Sequence, residues 1–202
     1  MTTATTILDP LWLRQRFVTP IEYEAMTIGD GHLWVPQDAI RDAAVLVPVV
    51  ARDGDLRILF TKRAARLHDH ADQISFPGGR VEPDDKGAEG TALRETAEEI
   101  GLHRERIEIL GELNAYTTVT GYRVIPFVAL VHPPFELALD EVEVAGVFEM
   151  PLRHLLDPQN HMRHSVIHKG RERYYYALPY EKHYIWGATA GMLMNFYRFL
   201  TR

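Results

Sequence analysis

The chain predicts an α/β sandwich, a mixed sheet between helices. Three observations point there. Strand and helix patterns alternate with no repeat or low-complexity linker, an Asp-Gly turn joins two apolar runs, and an amphipathic helix follows a Phe-Pro-Gly-Gly loop. Asp9 to Phe17 reads as a short helix outside the core, with Asp9 placed to cap it and Pro10 at its first position. Val45 to Val50 and Leu56 to Thr61 read as strands around Arg52-Asp53-Gly54-Asp55, because Asp-Gly accepts the left-handed conformation of a tight hairpin. A loop carrying Arg63, Arg66, His68 and Asp72 then leads into Phe76-Pro77-Gly78-Gly79, and a helix follows over roughly Gly87 to Ile100, ended by Gly101. Further strands are expected at Ile107 to Leu113, Arg123 to Val131 and Val144 to Phe148, then a hairpin over His164 to Ala177 and a last helix near Gly187 to Leu200. One domain spans 1–202, as an N-terminal extension over 1–42 and a core over 43–202.

Composition narrows the function classes. With 202 residues, 46% hydrophobic and 25% charged, the chain can bury a proper core. Its net charge of -6 argues against non-specific nucleic-acid binding, which needs a basic surface to displace counterions. Zero cysteines exclude disulfides, thiolate catalysis and cysteine zinc sites. The longest apolar run, Ala43 to Ala51, contains Pro48 and falls short of the roughly 20 residues of a membrane helix. Met1 to Ile7 has neither the basic start nor the apolar core of a secretory signal, so a cytoplasmic protein is expected.

The helix over Gly87 to Ile100 carries the chemistry. At roughly 100° per residue, Glu95, Glu98 and Glu99 share one sector while Leu93, Ala97 and Ile100 form an apolar stripe opposite. Like charges at these spacings repel, and a divalent cation that neutralises them is the simplest reason to assemble them. Gly79, followed fifteen positions later by Arg94-Glu95-Thr96-Ala97-Glu98-Glu99-Ile100-Gly101-Leu102, resembles the Nudix box of hydrolases acting on a nucleoside diphosphate linked to another group. The resemblance implies a Nudix-type α/β/α sandwich with a catalytic strand-loop-helix. It departs in three places: the Arg arrives one residue late, Asp84 or Asp85 replaces the family's loop Glu, and Thr96 stands where an aliphatic residue is usual.

A second stretch narrows the resemblance. Leu59-Phe60-Thr61-Lys62-Arg63-Ala64, continuing to Gln73-Ile74-Ser75-Phe76-Pro77-Gly78-Gly79, is similar to the motif preceding the box in coenzyme A pyrophosphatases. Thr117 to Phe127, Glu143-Val144 with Phe148 and Pro151-Leu152, and Ile185 to Ala190 also resemble that subfamily. Here His68 stands where Arg is expected and Asp72 where Gly is expected. An imidazole is a weaker phosphate fork than a guanidinium, and Asp72 adds a negative charge beside an anion site.

Hydrolysing a pyrophosphate needs charge neutralisation, a positioned water and a group to take its proton. Glu95 and Glu99 are the expected direct ligands for magnesium or manganese (Mg2+ or Mn2+), with Glu98 as a third ligand or a water-bridged partner and, from the resemblance, the backbone carbonyl of Gly79. Arg94 is expected to orient the cluster. Glu98 and Glu143 are the candidate general bases, with Glu141 behind them. Lys62, Arg63, Arg66 and Arg80 flank the glycine loop as phosphate-binding candidates, Arg63 foremost, and Gly78 belongs to the substrate side.

The resemblance implies coenzyme A or an acyl derivative as substrate, giving phosphopantetheine and adenosine 3′,5′-bisphosphate. The alternatives are ADP-ribose, a dinucleotide polyphosphate or a nucleoside triphosphate. From a different class, a non-catalytic Nudix-fold binding module is disfavoured, because nothing would then maintain a repulsive carboxylate cluster. Ordinary roles compete elsewhere. His161, His164 and His168 suit a hairpin surface better than a metal, and Tyr174, Tyr175 and Tyr176 suit a strand. Trp186 and Met192 to Phe196 suit helix packing, extended into a homodimer interface.

Overall fold

The computed structural model describes residues 8–19, 22–26, 39–65, 72–168 and 171–202. Its elements are α1 (Pro10–Val18), β1 (Arg41–Arg52), β2 (Asp55–Arg63), β3 (Ile74–Ser75), β4 (Gly78–Arg80), α2 (Gly87–Ile100), β5 (Ile107–Glu112), β6 (Tyr116–Thr117), β7 (Tyr122–Val131), β8 (Val144–Pro151), α3 (Leu152–Leu156), β9 (Met162–His168), β10 (Arg171–Tyr180), β11 (His183–Trp186) and α4 (Gly187–Leu200).

The Asp53-Gly54 turn forms as the sequence predicts, pairing Arg52 with Asp55 and holding Gly54 at φ 70. β1 then runs parallel to β7 from Arg41↔Tyr122 to Val50↔Val131, and β2 runs antiparallel to β8, so the sheet is mixed. β1 and β2 pair with each other only near their turn, from Val49↔Ile58 onward. Beyond it they splay, and the 74–80 segment fills the gap: β3 pairs with β2 at Thr61↔Ser75, and β4 pairs with β1 at Val45↔Gly78. This wedge seats the glycine loop inside the sheet rather than at its edge.

Side chains of β1 alternate between two cores, as the period of a strand dictates. Val47 and Val49 join a cluster with Leu13 of α1, Leu155 of α3 and Phe196 of α4, while Ala44, Leu46 and Val50 join one with Ala92 and Ile100 of α2. The sheet therefore lies between helices, and among the described residues α2 is the one helix packed on its second face. β9, β10 and β11 form a separate antiparallel sheet anchored by the buried Leu178 and Ile185.

Three expectations need correction. α1 does not lie outside the core, because Leu13 is fully buried in it. In the buried stripe of α2, Leu93 and Ile100 pack as expected, joined by Ala92 and Thr96, whereas Ala97 is exposed. Thr96 fits that interior because its hydroxyl donates to the Ala92 carbonyl at 2.6 Å and needs no other partner. Met192, Met194 and Phe196 are buried within their own chain and offer no dimer surface, and Trp186 is exposed ahead of α4 rather than packed in its core.

Candidate active site

Two glycines bring backbone against carboxylate. Gly78 has φ 155, and a Cβ there would collide with the backbone of Ala44 and Val45; its amide donates to the Glu99 carboxylate. A Cβ at Gly79 would fall inside the carboxylate of Glu95. Only a residue with no side chain permits either approach. Phe76, stacked on Phe60 with ring centroids 5.2 Å apart, fixes the loop from below.

α2 presents its three carboxylates unequally. Glu99 is 6% exposed, Glu95 is half-buried, and the Glu98 side chain is 60% exposed. Burial, and then the charge of Glu95, push Glu99 up to about 8, against a lowering pull from Arg63. Burial likewise raises Glu95. Glu99 Oε2 is buried without a hydrogen-bond partner, and so is Nε of Arg63. The turn before β8 is tied to both: the Asp140 amide donates to the Glu99 carbonyl at 2.9 Å and the Ala64 amide to the Glu143 carbonyl at 2.8 Å. Glu143, exposed on that turn, adds its negative field to Glu95 and Glu99.

Arg94 is wholly engaged with the protein. It grips Asp85 through Nε at 2.8 Å and Nη2 at 3.0 Å, while Nη1 donates to Glu95 and Glu98 at 2.9 Å each. The forked geometry suits a guanidinium and no other cation. Asp85 also accepts from the Thr91 hydroxyl at 2.7 Å and the Glu82 amide at 2.8 Å, and Arg94 holds its carboxyl well below the usual range. Of the two aspartates left open by the sequence, Asp85 does this work; Asp84 is exposed. Sequence reading missed Thr91 and the Gly78 amide. The only available signal for Thr91 was a hydroxyl residue six positions after an aspartate.

The cations divide. Arg63 acts on Glu99, whereas Lys62 pairs with Asp72 at 2.9 Å and bears on His183. Asp72 therefore spends its charge on Lys62. It sits at φ 61, the left-handed region, which explains why glycine is the expected residue there. Arg80 is exposed, and its carbonyl accepts from Arg94 at 3.4 Å. Arg66 and His68 lie outside the described residues. The His161 ring donates to the Leu155 carbonyl at 2.7 Å, which is a structural role. Tyr176 packs against the core, Tyr174 lies under Arg163 and Tyr175 meets Trp186 edge-on.

Among the described residues no three acidic or histidine side chains close into a finished metal-ligand shell, since Glu98 turns outward onto Arg94. The donor set nonetheless fits a hard divalent cation. Glu99 offers an unpartnered buried oxygen, and Glu95 a half-buried carboxylate packed against the Gly79 backbone.

The NUDIX domain family matches residues 40–169, which contain the glycine loop, α2 and the Glu143 turn. The chain belongs to the Nudix family. The relative named "Uncharacterized Nudix hydrolase NudL" in Photorhabdus laumondii is 37% identical over 156 residues, covering 77% of this chain and 83% of the relative. The protein of the same name in Citrobacter koseri is 40% identical over 155 residues, covering 76% and 79%. Among solved structures, a Caenorhabditis elegans Ap4A hydrolase is 22% identical with a TM-score of 0.48, covering 56% of this chain and 82% of that one. The protein is thus a Nudix hydrolase, of a family that cleaves pyrophosphate linkages in nucleotide derivatives and generally uses divalent cations. Among the described residues no helix is long and apolar enough to cross a membrane.

Proposed function

We propose that the protein hydrolyses the pyrophosphate bond of coenzyme A or an acyl-coenzyme A, releasing phosphopantetheine and adenosine 3′,5′-bisphosphate. The observation that carries this reading is the motif over Leu59 to Gly79, whose Arg63 ends β2 with its charge on the carboxylate site. Glu95, Glu99 and the Gly79 carbonyl would hold Mg2+ or Mn2+, and Glu98 would join them only on exchanging Arg94 for the cation. A divalent cation there supplies charge neutralisation at the pyrophosphate oxygens.

The chain's own residues do the rest. Arg63, whose charge acts on Glu99, orients the anionic group beside it. The Arg94–Asp85 fork keeps Glu95 aimed at the glycine loop, so Arg94 is a positioning residue. Glu143 takes the proton from the attacking water. It suits this role better than Glu98, because Glu98 is ion-paired to Arg94 while Glu143 is exposed and faces Glu95 and Glu99.

The Lys62–Asp72 pair favours a second reading, since it occupies a cation that would otherwise be free for the 3′-phosphate. ADP-ribose or a dinucleotide polyphosphate would then be the better substrate. Comparing kcat/KM for coenzyme A, dephospho-coenzyme A, ADP-ribose and a dinucleotide polyphosphate, with magnesium and with manganese, decides between the two. Coenzyme A should lead dephospho-coenzyme A by at least about tenfold, the scale of one lost phosphate contact. Equal values would sink the coenzyme A assignment.

A further inference from the structure

We infer that β9 is the edge through which two copies of this chain pair, forming a continuous six-stranded antiparallel sheet across a two-fold axis at Ser165. Among the described residues β9 pairs on one side only, with β10, and forms the outer edge of the three-stranded sheet. Its sequence, Met162-Arg163-His164-Ser165-Val166-Ile167-His168, holds no proline, lysine or carboxylate of the kind that guards a free edge. It also holds its apolar groups out: Met162 is 43% exposed, Val166 48% and Ile167 76%.

The partner is a second copy because the strand is complementary to itself. A symmetric pairing that uses all seven residues must be centred on the fourth, Ser165. It sets Arg163 opposite Ile167, His164 opposite Val166 and Met162 opposite His168. The lone Arg in β9 therefore never meets its own copy. Within one chain Ile167 is registered with Glu172, and Arg163 with Tyr176. Across the axis one face would then read Glu172, Ile167, followed by Arg163 and Tyr176 of the second copy. Glu172 and that Arg163, each of which meets Tyr174 in its own chain, lie two strands apart, about 10 Å at the backbone, within reach of two long side chains over the apolar Ile167. Two-fold symmetry makes this charge match twice.

The absence of cysteine makes the register testable. Sedimentation equilibrium on the natural chain should give twice the 23.1 kDa chain mass. Ser165→Cys should form a disulfide-linked dimer under mild oxidation, because directly opposed residues sit about 4.5–5.5 Å apart at Cα, inside the range a disulfide spans. Val119→Cys, at another exposed position, should not. Ile167→Lys sets two lysines against two arginines and should raise the concentration of half-dissociation by roughly tenfold, with the melting temperature measured at high dilution unchanged. A single-chain mass up to hundreds of micromolar overturns the inference. So does a dimer in which Ser165→Cys fails to cross-link, or one in which Val119→Cys cross-links equally well.

Discussion

At the scale of a single residue, Glu99 sets function against stability. A carboxyl buried beside Glu95 with one oxygen unpartnered is a poor companion for a folded chain and a good ligand for a cation. Its folded value of about 8 stands above the ordinary 4.5, so between those values the folded chain holds a proton that the unfolded chain has released. Stability of the cation-free protein therefore falls as pH rises through that window. Glu99→Gln keeps the shape and removes the charge. In the presence of a chelator at neutral pH it should melt higher than the natural chain, by on the order of 1 kcal/mol or about 2–4 °C, and the gap should narrow as pH falls toward 4.5. The same variant should lose pyrophosphate hydrolysis by about 100-fold or more. Calorimetry across pH, paired with a hydrolysis assay, checks both. A variant that melts lower would mean that the Glu99 carboxylate is already satisfied without a cation.

At the scale of elements, the sequence reveals those whose pattern is local. α2 spans Gly87–Ile100 as expected, because its carboxylate spacing and the Gly101 cap at φ 67 are both sequence-local. Its buried stripe was legible at Leu93 and Ile100 and misread beside them, since Ala97 reads apolar but faces water, while Thr96 reads polar but satisfies its hydroxyl within its own turn. The β3–β4 wedge left no trace, because strands of two and three residues carry no alternation to read. The parallel β1–β7 pairing depends on a partner about eighty residues away, which no local pattern encodes. The site follows the same division: Glu95 and Glu99 were legible from helical spacing, whereas Lys62 was diverted by Asp72 across a loop. A contact between elements yields a pH prediction. Arg14 of α1 grips Glu108 of β5 with two bonds of 2.7 Å and, helped by His132, pulls it down to about 2. A depressed carboxylate contributes above its unfolded value near 4.5 and loses that contribution as pH falls toward 2. Both side chains are more than a third exposed, so solvent screening limits the effect to about 0.5 kcal/mol. Arg14→Met should thus cost at most that much at neutral pH, and its unfolding curve should merge with that of the natural chain near pH 2. A deficit that persists there would assign the effect to packing of the arginine stem.

At the scale of the whole molecule, α1 and α4 close one core while the catalytic residues rest on the other. Leu13 of α1 is fully buried, Phe17 meets Phe199 with ring centroids 4.5 Å apart, and Tyr23 meets the same ring at 5.9 Å. Asn195 of α4, also fully buried, clasps the Met26 backbone by donating to its carbonyl and accepting from its amide at 2.8 Å each. These residues pack on the face of the sheet opposite α2, so the described residues 8–19 and 22–26 are built into the fold rather than laid over it. Leu13→Ala should cost about 2–5 kcal/mol, the range for emptying a leucine-sized volume in a packed core. At about 2–4 °C per kcal/mol, that lowers the melting temperature by several to about 15 °C. Because Val47 and Val49 share the cluster with Leu13 and lie in the strand that carries Ala44 and Leu46 against α2, the loss should fall on one cooperative transition. Turnover below that transition should stay within about twofold of the natural chain, since Arg63, Glu95 and Glu99 sit on the other face. Differential scanning calorimetry together with a hydrolysis assay at a temperature well below melting tests both halves. A separate early transition, with turnover intact through it, would mean that the N-terminal segment docks as a unit of its own.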